Sequence, residues 1–332
     1  MSLRKNFVSI MLLACFACVI ACGEAKQPSA PNTPTRIRLQ LNWVPETEFG
    51  GIYAAEFDGL YRDAGLQLEI IKDPGGAAVP QMIDQGVCDA GIASGDQILQ
   101  LRQQGGDLVA IYNIFDHTPY GLMMHAAGAP ETLQEVWKGA GNLAIESGLP
   151  VWKYLGAKYG PTTRAVIPYN AVTASFLGDA TIASQCFITS EPPLMDLAKV
   201  PIKVFSVSES GFDPYTVTVA VKRGKMPDEV QRKFCAAMQE GWRRYMADPA
   251  KYNPDIAKLN PAMSAEVMNM GAERMKPLLF TPWTQAHGLG SMDPARWQSM
   301  IDLLSASGVI KIRPQPESLM SNMLPPKPTT PK

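Results

Sequence analysis

From residue 36 onward, short β-branched runs alternate with helical ones, and no other feature limits the possible folds of this chain so strongly. Residues 37–44 read as a strand, 51–64 as a helix closed by Gly65, 66–72 as a strand, 77–85 as a helix and 89–94 as a strand. A helix at 96–104 and a strand at 107–115 complete this first set. Beyond the Gly/Pro-rich stretch 127–130, strands at 142–146, 163–168, 180–188 and 202–207 alternate with helices at 151–158, 171–177 and 191–199. A strand at 216–222 would return the chain to the first set, and helices follow at 227–246, 264–279 and 294–307. Strands separated by helices in this way make βαβ units, parallel strands and right-handed crossovers. The expectation is an α/β protein with lobe I at 36–124 plus 216–315 and lobe II at 125–215. Two crossings, near Met124 and Tyr215, would form a hinge beside a cleft. The Pro-rich residues 316–332 read as a loose tail.

A chain of 332 residues suits two domains, and 46% hydrophobic residues is a globular composition. Thirty Lys+Arg against 31 Asp+Glu leave a net charge of −1, so no broad basic field exists to hold nucleic acid. No G-x-S-x-G elbow, Walker loop, H-E-x-x-H or G-x-G-x-x-G occurs, and paired carboxylates without a nucleophile define no active site. A non-enzymatic, monomeric protein without cofactor is expected.

Residues 1–22 read as a targeting segment. Arg4 and Lys5 precede an apolar stretch at 7–20, which falls short of the about 20 residues that span a bilayer. The stretch ends Val19-Ile20-Ala21-Cys22, which resembles the lipobox of bacterial lipoproteins, where cleavage before the Cys leaves a thiol that carries diacylglycerol. Residues 23–35 are polar and Pro-rich, as a tether from a lipid anchor to a folded body would be. Cys88, Cys186 and Cys235 then remain, far apart, with no CxxC and no His at ligand spacing, so no metal site is expected. One disulfide with a leftover thiol and three free buried thiols both stay open.

The run Leu41-Asn42-Trp43-Val44-Pro45-Glu46-Thr47-Glu48-Phe49-Gly50-Gly51-Ile52-Tyr53-Ala54-Ala55 leads into Gly59-Leu60-Tyr61 and 64–69 (AGLQLE). It resembles the opening of ABC-transporter substrate-binding proteins of the alkanesulfonate and thiamine-pyrimidine-precursor-binding family. Residues 86–92 (GVCDAGI), 94–96 (SGD), 115–122 (FDHTPYGL) and 292–304 (MDPARWQSMIDLL) are similar as well, so the resemblance spans most of 36–310. It implies the type II periplasmic-binding-protein fold: two α/β lobes, two hinge crossings, and closure around a small molecule delivered to an ABC permease. The location it implies is the periplasm or cell surface, with Cys22 as the anchor. In the pyrimidine binders the segment matching Glu46–Phe49 usually carries two Asn and a His. Fungal pyrimidine synthases of the superfamily consume that His and carry a Cys-rich iron motif. Phe49 and the scattered cysteines depart from that enzyme. A pyrimidine-biosynthesis enzyme on this scaffold, a sulfonate binder and a sensor remain the rival readings.

In open α/β sheets, ligands bind outside the carboxyl ends of strands, where loops feed helix N-termini. Four loops qualify: 43–53, 94–96, 146–148 and 169–170. Trp43 and Tyr53 are candidates for an aromatic wall, with Phe49 beside them. Glu46 and Glu48 would accept hydrogen bonds from ring N–H or amine donors, against the plainer role of solvated loop carboxylates. Asp96 is either a ligand acceptor or a cap of the following helix. His117 and Tyr120 lie near the first crossing and would face the cleft; Glu146 and Ser147, Tyr169 and Asn170, and Glu191 would complete the clamp from lobe II. Asp213 and Tyr215 belong to the second crossing, as hinge or ligand residues. Acids outnumber bases among these candidates, with Arg164 the nearest base in sequence, which favours an amine-bearing heterocycle over a sulfonate.

Overall fold

The computed structural model describes residues 33–73, 78–169 and 173–324. The targeting segment with Cys22, nearly all of the tether, and Asn170 lie outside the described residues. In chain order the strands are β1 (Thr35–Gln40), β2 (Leu66–Ile71), β3 (Ala90–Ala93), β4 (Leu108–Asn113), β5 (Tyr120–His125), β6 (Asn142–Ile145), β7 (Ala165–Pro168), β8 (Ala183–Phe187), β9 (Ile202–Ser206) and β10 (Thr218–Lys222). The helices of the first lobe before the crossing are α1 (Gly50–Phe57), α2 (Leu60–Asp63), α3 (Val79–Asp84) and α4 (Gly95–Gln103). Those of the second lobe are α5 (Leu133–Lys138), α6 (Pro150–Tyr159), α7 (Thr173–Gly178) and α8 (Glu191–Leu197). After the return come α9 (Asp228–Ala247), α10 (Pro249–Leu259), α11 (Ala265–Leu279), α12 (Pro282–His287) and α13 (Pro294–Ala306). Among the described residues no helix is long and apolar enough to cross a membrane.

Two five-stranded sheets result, in the orders β2-β1-β3-β10-β4 and β7-β6-β8-β5-β9. Each is parallel except for one strand. The antiparallel strand is the first one laid down after a crossing: β5 pairs with β8 and β9, and β10 with β3 and β4. This exchange ties each lobe to the other through the middle of its sheet, which is the two-lobed α/β architecture expected from the sequence. The first crossing lies earlier than expected. Met124 pairs with Lys203 inside β5, so the chain passes between sheets at 114–119 and returns at 207–217. The extended pattern of YGLMMH was hidden by the Gly and Pro around it, so 120–125 went unread as a strand.

Two other expectations change. The helix expected at 51–64 is two helices, because Gly59 adopts φ +73° and breaks the ladder between them. The tail is not loose where it is described: Leu319 and Met320 are buried, and Ala110 exchanges backbone hydrogen bonds with Leu319 (2.8 Å) and Ser321 (2.8 Å) at the outer edge of β4. Asn322 donates to the Met292 carbonyl and accepts from its N–H, fixing this added edge to the α12–α13 loop. Cys88, Cys186 and Cys235 are all buried and free.

Candidate functional site

Both crossings are stapled side by side. Thr118 N–H donates to Asp213 Oδ1 (2.7 Å), the Thr118 and Thr216 hydroxyls meet at 2.7 Å, and Ile114 N–H donates to the Val217 carbonyl (2.9 Å). His117 Nδ1 lies 2.6 Å from Asp213 Oδ2, and Arg296 on α13 pairs with Asp116 (2.7 Å) and Asp213 (2.9 Å) while covering the Tyr215 ring. Burial works to raise the Asp213 carboxyl, but His117, Arg296 and the Thr118 N–H outweigh it and hold it below the usual range. The hydrogen bond to Asp213 in turn raises His117. His117 therefore serves the hinge and does not line the cleft, and Asp213 and Tyr215 are hinge residues too.

Between the lobes lies a cavity of about 60 Å3. Lobe I lines it with Asn42, Trp43, Glu46, Glu48 and Gln97, the crossings and lobe II with Tyr120, Glu146, Leu149, Tyr169, Gln185, Phe187, Ser190, Glu191 and Thr216. The lobe I wall is built by a 3-10 turn at Thr47–Phe49, which follows β1 as the carboxyl-end rule requires. Phe49, fully buried, pins this turn into the core, Thr47 Oγ1 donates to the Met268 carbonyl (3.3 Å), and Asn260 donates to the Pro45 carbonyl (3.0 Å). With Phe49 turned inward, Glu46 and Glu48 are left facing the cavity.

Across the cleft, the Trp43 and Tyr169 rings stack at 6.0 Å between centroids and 26° between planes. Ser190 Oγ donates to Glu46 Oε2 (2.6 Å), joining lobe II to lobe I. The Tyr169 hydroxyl donates to Glu191 Oε1, whose other oxygen accepts from Phe187 N–H (2.7 Å). Glu46, Glu48 and Glu191 are 6%, 3% and 7% exposed, so three buried carboxyls share a confined space lined, among the described residues, by no Lys, Arg or His. Burial first, and then the charge of Glu191, push the Glu46 carboxyl up to about 8, against hydrogen bonds from Ser190 and the Trp43 side chain. Burial and the charges of Glu46 and Glu191 raise Glu48 well above the carboxylate range. Burial likewise raises Glu191, and also Glu146, which feels Asp73 as well.

Seven sequence candidates thus converge on one cavity: Trp43, Glu46, Glu48, Tyr120, Glu146, Tyr169 and Glu191. The others described do not reach it. Phe49 is core, and Tyr53 is buried in the lobe I core against Phe57, so the aromatic partner of Trp43 is Tyr169 rather than Tyr53. Asp96 is locked inside the capping box of α4, accepting from Ser94 Oγ and from Gln97 N–H (2.9 Å). Ser147 is exposed and outside the lining. Arg164 is consumed by the carbonyls of Val136, Ala140 and Thr181. Sequence reasoning passed over Asn42, Gln97, Leu149, Gln185, Phe187, Ser190 and Thr216. The carboxyl-end rule would have found Asn42, Phe187 and Ser190, which sit just after β1 or at the end of β8. Asn42 Oδ1 is buried without a partner.

The fold and cleft define a two-lobed periplasmic-binding-protein architecture. The sequence model of the NMT1/THI5-like family matches residues 46–252, more than half of the chain, and the chain belongs to that family. Among solved structures it is similar to the periplasmic aliphatic sulphonate binding protein SsuA from Escherichia coli (13% identity, TM-score 0.64, covering 90% of this chain and 95% of that one). It is similar also to the alkanesulfonate-binding protein SsuA from Xanthomonas axonopodis pv. citri bound to MOPS (13% identity, TM-score 0.63, 87% and 99%). A Candida albicans protein described as having the generic periplasmic binding protein structural fold matches at 15% identity and TM-score 0.61, over 87% and 96%. A search of curated protein sequences finds no match.

Proposed function

We propose that the protein is the solute-binding component of an ABC importer, anchored outside the cytoplasm through lipid on Cys22, which closes its lobes on a small planar nitrogen heterocycle and delivers it to a membrane permease. A thiamine pyrimidine precursor is the ligand type this reading favours. The observation that carries it is the interlobe cavity with aromatic rings from both lobes and carboxyls as the polar anchors. A free volume of about 60 Å3 corresponds to roughly four to six water sites at ~10–15 Å3 each, the space of one substituted ring. The Trp43 and Tyr169 rings, 6.0 Å apart between centroids and 26° between planes, offer one aromatic face from each lobe to a planar ligand. The sulfonate reading, which the names of two structural neighbours suggest, meets a lining without a basic side chain.

A thermal-shift screen against small heterocycles followed by titration calorimetry tests this, because a ligand at saturation adds several kcal/mol of apparent stability. Trp43→Ala, checked for folding, should weaken the best hit at least about tenfold, since stacking and its buried area exceed ~1.4 kcal/mol. Unchanged affinity would remove Trp43 from the site. For the anchor, mass spectrometry of the mature protein should find an acylated Cys22, and a plain N-terminus elsewhere would refute it.

A further inference from the structure

We infer that the cleft takes its ligand as a cation, an amine or amidine, in exchange for a proton held among Glu46, Glu48 and Glu191, and refuses carboxylates and sulfonates. This rests on the interlobe cavity being the ligand site. The geometry requires some such exchange. Three buried carboxyls from both lobes face one confined space, and among the described residues only neutral donors reach them: the Ser190 and Tyr169 hydroxyls, the Trp43 side chain and the Phe187 N–H. Glu48, the most buried of the three, is acted on only by burial and its two acidic neighbours. Unpaired buried charges of one sign cannot all persist, so protons must fill the empty site.

The surrounding groups do not relieve this. Lobe I adds Asp96, whose carboxyl is used within the α4 cap, and lobe II adds Glu146, with Asp73 facing it. Tyr120 feels Glu146, Asp96 and Glu48, and the Cys186 thiol lies behind Glu191. The guanidinium felt on that side, Arg274 on α11, is paired with Asp196 at 2.5 Å. When an ammonium or amidinium enters, one carboxyl O–H loses its proton to solvent and the positive charge takes its place, leaving the charge of the cavity unchanged. An anion would instead bring an unpaired negative charge into a space whose described lining offers no basic side chain to pair it.

Benzamidine, benzamide and benzoate share one planar shape and differ in charge, and ethylamine is a cation without a ring. Each is titrated calorimetrically into the full protein, in two buffers of different protonation heat, between about pH 6 and about pH 8. Benzamidine should bind, releasing up to one proton, with affinity rising by up to about tenfold per pH unit below about pH 8, where Glu46 ionises. Benzamide should bind far more weakly, and benzoate not at all. Glu48→Gln should weaken benzamidine at least about tenfold and narrow its advantage over benzamide. If ethylamine binds with proton release and benzamidine does not, the exchange stands and the aromatic slot fails. Benzamide or benzoate binding as well as benzamidine, cation affinity flat with pH, or failure of both cations would overturn the inference.

Discussion

Replacing Glu46 by Gln should make the ligand-free protein more stable at alkaline pH and flatten the dependence of its stability on pH. The folded-state carboxyl lies at about 8 against 4.5 for the free side chain, so the folded protein holds this proton more tightly than the unfolded chain. Stability associated with Glu46 is therefore full below about pH 4.5 and is lost as pH rises towards about 8. At ~1.4 kcal/mol per pH unit, the loss across this window is on the order of 5 kcal/mol. Gln keeps an oxygen for the Ser190 hydroxyl and carries no charge to bury, so it escapes that cost. Thermal melts of both proteins at about pH 5 and about pH 8.5 measure the difference, to which the weaker push on Glu48 in the variant adds in the same direction. At roughly 2 °C per kcal/mol, the variant should gain about 5–10 °C relative to wild type on going from the acid to the alkaline condition. Equal pH slopes, or a variant that loses ground at alkaline pH, would refute the placement of Glu46 in a buried acidic cluster.

Gly271 on α11 leaves room for both lobes: an added Cβ would sit 2.3 Å from the Thr189 carbonyl of lobe II and 2.9 Å from Thr47 Oγ1 of lobe I. Gly271→Ala should hold the lobes apart and weaken ligand binding about tenfold or more without touching ligand, which small-angle scattering and calorimetry would detect together. Asp213→Asn should lower the raised His117 titration towards its ordinary value, read by the imidazole NMR signals; an unmoved His117 would break the stapled-hinge account. Tyr169→Phe keeps the ring on Trp43 but frees Glu191 Oε1, so it should tighten benzamidine if that oxygen otherwise stays bound to the phenol; weaker binding would make the hydroxyl a ligand contact.

The alternation of strands and helices made the two-lobe architecture legible, because each βαβ unit leaves its own periodic mark. It could not reveal β5, where Gly121 and the preceding Pro119 disguise a strand whose neighbours, β8 and β9, lie some 60 or more residues ahead in the chain. The loop after β1 was legible as a site because the carboxyl-end rule needs only local order, and it correctly drew attention to Trp43, Glu46 and Glu48. Which alternate residue of that loop turns inward was not. Phe49 and Tyr53 look as available to a ligand as Trp43 does until α1 packs against α9 and buries them. Asp96 and His117 show the opposite error: both carry ligand-like chemistry, and both spend it on a cap and a hinge. Pairings between lobes, such as Trp43 with Tyr169 or Glu46 with Ser190, join positions more than 120 residues apart and leave no local trace.

Closure and charge are linked in this cleft. Glu46 and Glu48 belong to lobe I and Glu191 to lobe II, and Glu191 raises both of the others in the closed arrangement. Parted lobes would return these carboxyls to water, where each ionises near its ordinary value and the repulsion between lobes is screened. Closing the empty cleft at neutral pH therefore requires protons to be taken up, whereas closing it over a cation requires one fewer, so the closed ligand-free cleft gives up a proton as the cation binds. A ligand shifts a conformational equilibrium only by its differential affinity for the two states. Here that difference comes from the acids themselves: the cation removes a cost that exists only when the lobes are together. The neutral contacts, the Trp43–Tyr169 stack and the Ser190–Glu46 hydrogen bond, favour closure of the ligand-free cleft. The acidic cluster opposes it until a positive charge arrives. Substituting Glu191→Gln should then let the ligand-free protein close more readily at about pH 8 while reducing its preference for benzamidine over benzamide, because one carboxyl supplies both effects. Compaction measured by scattering and the ratio of the two affinities must move together; a change in one without the other would separate closure from charge recognition.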